Sequence, residues 1–290
     1  MNELTIHAYA KINLGLDVLR KREDGYHDLK MIMQTVNLYD VLTFTKTESP
    51  EVSLTIKNSS LPCNNNNLIV KAANLMIQKY QLKQGVSIHL SKHIPIAAGM
   101  AGGSADAAAT LKAMNQLFGL GASMQELMDL GVTLGADIPY CILEGTALSE
   151  GIGEILTPLT PIPTCYIVVV KPNINVSTKF VYQNLNLDVL EKHPDIDGVV
   201  SSITAHNLKG ITDRLDNVLE TVTIPQYPVI QEIKDQMLKM GASGSLMSGS
   251  GPTVFGIFKD SSKAKKCYDL FKTGPYKAQT FFTLPYQPQR

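Results

Sequence analysis

Residues 95–109, PIAAGMAGGSADAAA, gather Gly99, Gly102 and Gly103 beside Ser104 just before an alanine-rich run. Glycine lacks the Cβ that blocks positive φ and close approach of a ligand, so a short segment rich in it can turn several backbone N–H groups toward one point. That geometry suits phosphate, and a helix beginning at once adds free N–H groups and the positive end of its dipole. Ser104 could cap that helix, donate to a phosphate oxygen or stand beside a metal ion. A tight turn before a helix, its glycines kept for packing, is the plain structural alternative. A Walker loop, GxxxxGK followed by Ser or Thr, occurs nowhere in the chain, and this run lacks the GxGxxG spacing of a dinucleotide fold. A phosphate loop of another type is expected.

A second group of polar residues lies near the N-terminus. Leu4, Ile6, Ala8, Ala10, Ile12, Leu14, Leu16 and Val18 place an apolar residue at every even position, the period of a half-buried strand over 4–18. The odd face carries Lys11, Asn13 and Asp17. At about 3.3 Å per residue, Lys11 and Asn13 lie roughly 6.6 Å apart and both can reach one ligand. A solvated strand face is the alternative. Tyr26 and His27 follow the Asp24-Gly25 turn, where a ring beside an imidazole could stack on a base and hydrogen-bond to it, although such a pair at a turn is usually structural. Asp137 follows Gly135 and precedes Ile138-Pro139. The residue before a proline is biased to extended backbone, so a short rigid connection is expected there, with capping of the next element as the structural alternative.

These residues need elements to hold them. Strands are expected over 31–36, 41–45 and 86–90. The asparagine run 64–67 should end a loop and cap a helix over 68–80. The helix after the glycine loop should bury Ala107, Leu111, Met114 and Phe118, and Ser123 with Glu126 forms a capping box for a helix ending at Gly135. His89 and His93 sit in an extended pattern, about 13 Å apart, so a shared metal is not expected. Pro158, Pro161 and Pro163 mark a linker, which divides the chain into domains 1–160 and 161–290. Beyond it a strand over 166–170, helical patterns over 194–222, helices over 229–240 and 263–271, and strands over 253–258 and 280–284 suggest a split βαβ arrangement. The SGSGP run at 248–252 precedes a strand and has Val254 at the third glycine position, so it reads as a second backbone loop shaped to approach the first.

The composition narrows the class. The chain has 290 residues, 44% of them hydrophobic, which is ample for a core, and its 26 basic and 26 acidic residues balance, so no net field draws in a nucleic acid. Cys63, Cys141, Cys165 and Cys267 form no CxxC pair, and reduced cytosolic thiols are expected. The N-terminus lacks the marks of a signal peptide, and no apolar run nears the roughly 20 residues of a membrane span. A cytoplasmic protein with no membrane partner is expected.

Three separated runs, AKINLGL at 10–16, PIAAGMAGGSADAAA, and LMSGSGPTVFG at 246–256, together resemble the GHMP kinase superfamily. DGYH at 24–27, NNLIVKAA at 66–73 and LGADIPYC at 134–141 are similar to the branch of it whose acceptor is a cytidine diphosphate-linked methylerythritol of the non-mevalonate isoprenoid route. The resemblance implies an α+β, two-domain GHMP kinase fold, with an N-terminal domain like the second domain of ribosomal protein S5 and a ferredoxin-like C-terminal domain. It implies ATP-dependent phosphorylation of a small-molecule alcohol, with Mg²⁺ and a monomer or homodimer. By the same resemblance Lys11 and Asp137 are catalytic. ATP is bound by Pro95, Ile96, Ala97, Ala98, Gly99, Met100, Ala101, Gly102, Gly103, Ser104 and Ala105 together with Asn67, and substrate by Asn13, Tyr26, His27, Thr178 and Tyr182. The loop departs from many relatives in Met100, Ala101 and Ala105, which removes one possible hydroxyl, puts more weight on Ser104 and leaves Mg²⁺ with no assigned ligand. Two alternatives stay open: a kinase of the same fold acting on another small alcohol, such as mevalonate or homoserine, and a nucleotide-binding protein without turnover. A pure binder would need neither Lys11 nor Asp137.

Overall fold

The strand expected over 4–18 extends further in both directions in the computed structural model, which describes residues 2–57, 59–190, 192–274, 276 and 278–288. In chain order the first elements are β1 (Glu3–Lys21), β2 (His27–Thr47), β3 (Val52–Lys57), α1 (Leu68–Tyr80), β4 (Gly85–Ser91), α2 (Gly102–Phe118), α3 (Met124–Val132) and α4 (Ile138–Leu143). They are followed by β5 (Thr146–Gly151), β6 (Ile155–Pro158), β7 (Tyr166–Lys171), α5 (Thr178–Asn184), α6 (Ile196–Thr204), α7 (Leu208–Thr212) and β8 (Asp216–Asn217). The last are α8 (Glu220–Gln226), α9 (Val229–Lys239), β9 (Gly244–Met247), β10 (Val254–Phe258), α10 (Ser261–Thr273) and β11 (Gln279–Thr283).

Two expectations change. The segments 31–36 and 41–45 belong to one strand, β2. Asn37 and Asp40 interrupt its apolar alternation, but a polar residue breaks a strand only when it lacks partners, and both carboxylate oxygens of Asp40 have them. Ile138 is helical rather than extended and opens α4, because Pro139 falls in the first turn of that helix, where its missing N–H leaves no hydrogen bond unmade.

The chain packs as two compact units. One comprises Met1–Ala10, Leu38–Ile96 and Ala101–Leu143. In it the second half of β2 pairs antiparallel with β4, and β4 pairs parallel with β3. Phe44 of β2, Ile88 of β4, Met76 of α1 and Met114 of α2 are fully buried, each contributing about 1.5–3 kcal/mol of hydrophobic stabilisation. Asn67 caps α1 by accepting from Ile69 N–H, and the capping box of Ser123 and Glu126 opens α3, both as their sequences predict.

The other unit comprises Lys11–Asn37, Ala97–Met100 and Glu144–Arg290. Its first half of β2 pairs antiparallel with β5, and β8 pairs parallel with β1 at Gly15 and Leu16. A separate four-stranded sheet has the order β11-β7-β10-β9 with every pairing antiparallel. Read with α9 and α10, this is the split βαβ arrangement anticipated for the C-terminal half. Val168, Val169, Phe255 and Ile257 fill its core.

Candidate active site

The glycine loop takes left-handed backbone at every second residue: Ala97 (φ 50°), Gly99 (φ 69°) and Ala101 (φ 55°). For alanine this conformation costs about 1–2 kcal/mol, so the strain at Ala97 and Ala101 is held by the surroundings. Such alternation is the backbone pattern of an anion-binding concavity. Ala101 occupies the N-cap of α2 and supplies no side-chain cap. The first intrahelical bond runs from Ala105 N–H to Ala101 C=O at 2.8 Å. The N–H groups of Gly102, Gly103 and Ser104 therefore precede the intrahelical ladder and stand open to an anion. Ser104 lies inside the first turn, since the two glycines before it are already helical, and it does not cap the helix.

In the second unit, residues 97–100 meet Lys11, Asn13 and the SGSGP loop. Lys11 N–H donates to Met100 C=O at 3.2 Å, and Lys11 Nζ donates to Asn13 Oδ1 at 2.8 Å. Both side chains are buried, at 5% and 0% exposure, so the strand face is no solvated surface. Ser248 Oγ donates to Gly99 C=O at 2.9 Å, which makes the second loop the neighbour of the first, as expected. A Cβ on Gly99 would lie 2.2 Å from Ser248 C=O, so only glycine fits that approach. Asn217, buried at the end of β8, donates to the carbonyls of Met247 and Gly249 and fixes the second loop from behind.

The residues expected to hold a base also lie in this unit. The rings of His27 and Tyr182 are 5.2 Å apart, and Thr178 Oγ1 lies 2.8 Å from Ser250 Oγ of the SGSGP loop. Tyr26 is 59% exposed, its N–H held by Asp24 Oδ1 at 3.0 Å. Burial, and then the charge of Lys21, lower the His27 pKa from its ordinary 6.5, which keeps the imidazole neutral at pH 7.

Asp137 and Asn67 belong to the first unit. Asp137 immediately precedes α4, and its carbonyl accepts from Cys141 N–H at 3.1 Å, so the turn that carries the carboxylate is locked to a helix whose six residues are all buried. Gly131 of α3 lets Ile138 come close, since a Cβ there would lie 2.7 Å from Ile138 Cγ2. Asn67 Nδ2 donates to Pro62 C=O and its Oδ1 caps α1, so its side chain is engaged within the helix start.

Asp40, Lys92 and Asp106 are not among the residues that the sequence pattern singles out. All three are buried, and Lys92 Nζ donates to both carboxylates. Burial raises the Asp106 pKa from 3.8 to about 7, with Asp40 adding to the rise and Lys92 opposing it. Burial would lower the Lys92 pKa, but Asp106 and Asp40 outweigh it and hold the ammonium above its ordinary value. The one available signal was charge in small-residue and apolar surroundings, as in SADAAA.

A glycine loop leading to an uncapped helix start in one unit and a ferredoxin-like sheet in the other define a class. The GHMP kinases N terminal domain model matches residues 67–145 and the GHMP kinases C terminal model matches residues 187–274, and the chain belongs to the GHMP kinase family. The 4-diphosphocytidyl-2-C-methyl-D-erythritol kinase of Lachnoclostridium phytofermentans is 52% identical over 283 residues, covering 98% of this chain and 97% of that protein. The enzyme of the same name from Lachnospira eligens is 49% identical, covering 99% of this chain and 100% of that protein. A crystal structure of a 4-(cytidine 5'-diphospho)-2C-methyl-D-erythritol kinase aligns with a TM-score of 0.83 at 31% identity, covering 98% of this chain and 100% of that one. Homoserine kinase from Cytophaga hutchinsonii shares the fold, with a TM-score of 0.81 at 19% identity over 99% of this chain and 95% of that one. No helix among the described residues is long and apolar enough to cross a membrane.

Proposed function

We propose that this chain transfers the γ-phosphoryl group of ATP to the 2-hydroxyl of 4-diphosphocytidyl-2-C-methyl-D-erythritol, a step toward isoprenoid precursors that bypasses mevalonate. The observation that carries the reading is 52% identity, over 98% of the chain, to a kinase named for that substrate. ATP supplies the phosphoryl group, with Mg²⁺ accompanying its phosphates. The described residues include no group of three or more His, Cys, Asp or Glu that could hold a metal ion, and Mg²⁺ would be held chiefly by the nucleotide's phosphate oxygens and water.

The open N–H groups of Gly102, Gly103 and Ser104 bind phosphate oxygens, and the helix dipole favours their charge. Asp137 accepts the proton of the acceptor hydroxyl as its oxygen forms the new P–O bond and ADP leaves. Lys11 offsets the negative charge that develops. Because its side chain is buried, that charge acts in a poorly screened setting, and Asn13 orients it through the 2.8 Å hydrogen bond. His27, neutral at pH 7, offers one donor and one acceptor to the edge of a cytosine, and Tyr26 offers an exposed ring for stacking. Thr178 and Tyr182 form the opposite side of that pocket. The cytoplasm is the compartment that fits this activity.

The test is ADP release from Mg-ATP with a panel of alcohols: the cytidine diphosphate-linked methylerythritol, mevalonate and homoserine. Turnover with the first alone is expected, and Asp137→Asn should lower its kcat by roughly 10²- to 10⁴-fold in a folded protein. Turnover with mevalonate or homoserine instead, or an unaltered kcat in the variant, would overturn the substrate or the base respectively.

A further inference from the structure

The glycine loop leaves β4 and enters α2, and in the first unit both of its ends are tied to one buried cluster. Asp40, in the middle of β2, has no exposed surface. Its Oδ1 accepts from the backbone N–H groups of His93 and Ile94, the two residues just before Pro95, and its Oδ2 accepts from Lys92 Nζ. The same Nζ donates at 2.7 Å to Asp106 Oδ2, on the second turn of α2. It also lies 3.1 Å from where a Cβ on Gly102, the first residue of α2, would sit. One ammonium thus bridges the strand end that leads into the loop and the helix start that receives it.

A purely stabilising role explains this cluster poorly. A buried ion pair is often no more stabilising than apolar residues of the same volume, and here a single ammonium faces two carboxylates. Asp106 Oδ1 is buried without a hydrogen-bond partner, a further cost that an apolar side chain would avoid. Charged hydrogen bonds do fix direction, which hydrophobic contact does not. What they fix here is the spacing between residues 93–94 and the open N–H groups at the start of α2.

We propose that Lys92, bridging Asp40 and Asp106, is the positioning residue of the nucleotide-binding loop, holding the α2 N-terminus in register with the loop's entry strand so that its N–H groups converge on the nucleotide phosphates. This rests on the kinase reading above. Lys92 acts through the backbone of the loop and of α2, and it touches neither substrate. Loosening it therefore weakens nucleotide binding selectively, whereas a general loss of structure would impair both substrates together.

The experiment compares the full chain with Lys92→Met and Asp106→Asn. Steady-state KM is measured for ATP and for the cytidine-linked acceptor, ADP affinity by titration calorimetry, and folding by circular dichroism and thermal melting. Lys92→Met should raise the ATP KM and the ADP Kd by tenfold or more while the acceptor KM moves less than threefold. Asp106→Asn, which keeps the size of the side chain and an acceptor for Lys92, should raise the ATP KM and ADP Kd by threefold or more, again with little change for the acceptor. It decides the matter if Lys92→Met does not fold. Unchanged nucleotide parameters in a folded variant, or nucleotide and acceptor parameters rising together, would overturn the proposal. ADP binding by the unaltered chain separates this outcome from failure of the kinase reading, because it does not depend on the acceptor.

Discussion

Gly99→Ala isolates the contact between the two glycine loops. Gly99 has φ of 69°, where a Cβ costs about 1–2 kcal/mol. The added carbon would also lie 2.2 Å from Ser248 C=O and 3.2 Å from Gly251 C=O, both backbone atoms that cannot rotate aside, and overpacking of this kind costs about 1–3 kcal/mol. Moving the loops apart to make room lengthens the 2.9 Å bond from Ser248 Oγ to Gly99 C=O, worth about 0.5–1.5 kcal/mol. The smaller entropy of the unfolded alanine chain returns about 0.4–1 kcal/mol. The net loss is about 1.5–6 kcal/mol. Urea unfolding should show it as a lower midpoint at unchanged m, and the ATP KM should rise because the displaced segment is the proposed nucleotide loop. Gly103→Ala is the control: its Cβ would meet only Leu68 Cδ1, at an ordinary 3.7 Å, inside a helix that gains about 0.5–1 kcal/mol from alanine. A Gly99→Ala protein within about 0.5 kcal/mol of the parent, with an unchanged ATP KM, would refute the close approach of the loops and the reasoning built on it.

Asp106 predicts a pH dependence of stability. Its pKa is raised from 3.8 to about 7, so the folded state holds that proton more tightly than the unfolded chain. The resulting stabilisation is complete below 3.8 and is lost as pH rises through 7, up to about 4 kcal/mol at about 1.36 kcal/mol per pH unit. Unfolding free energies measured from pH 4 to 8 should therefore fall less, or rise more, for Asp106→Asn than for the parent across that window, and parallel curves would contradict the assignment. Tyr26→Ala, at a side chain 59% exposed, should change stability by less than about 0.5 kcal/mol yet raise the KM for the cytidine-linked acceptor far more than that for ATP. Equal effects on the two KM values would remove Tyr26 from the proposed base pocket.

The features legible in the sequence are those whose cause is local. Alternating apolar residues place β1, an asparagine or serine one residue before an apolar-periodic run caps α1 and α3, and clustered glycines mark the loops because only a missing Cβ permits their backbone. The order of elements after residue 166 was enough to suggest the split βαβ sheet. What the tertiary structure decided lies wherever the partner is distant in the chain. Asp40 reads as a break in an apolar strand until its carboxylate meets backbone 53 and 54 residues away. Ser248 meets Gly99 across 149 residues. Ser104 looks like a cap because a serine before an alanine run usually is one, but the surroundings hold Ala101 in left-handed backbone and start the helix earlier. Neighbours along the chain set the backbone preferences of a residue. Which charges are buried together depends on sheet register and helix packing, and Lys92 between Asp40 and Asp106 is set by those alone.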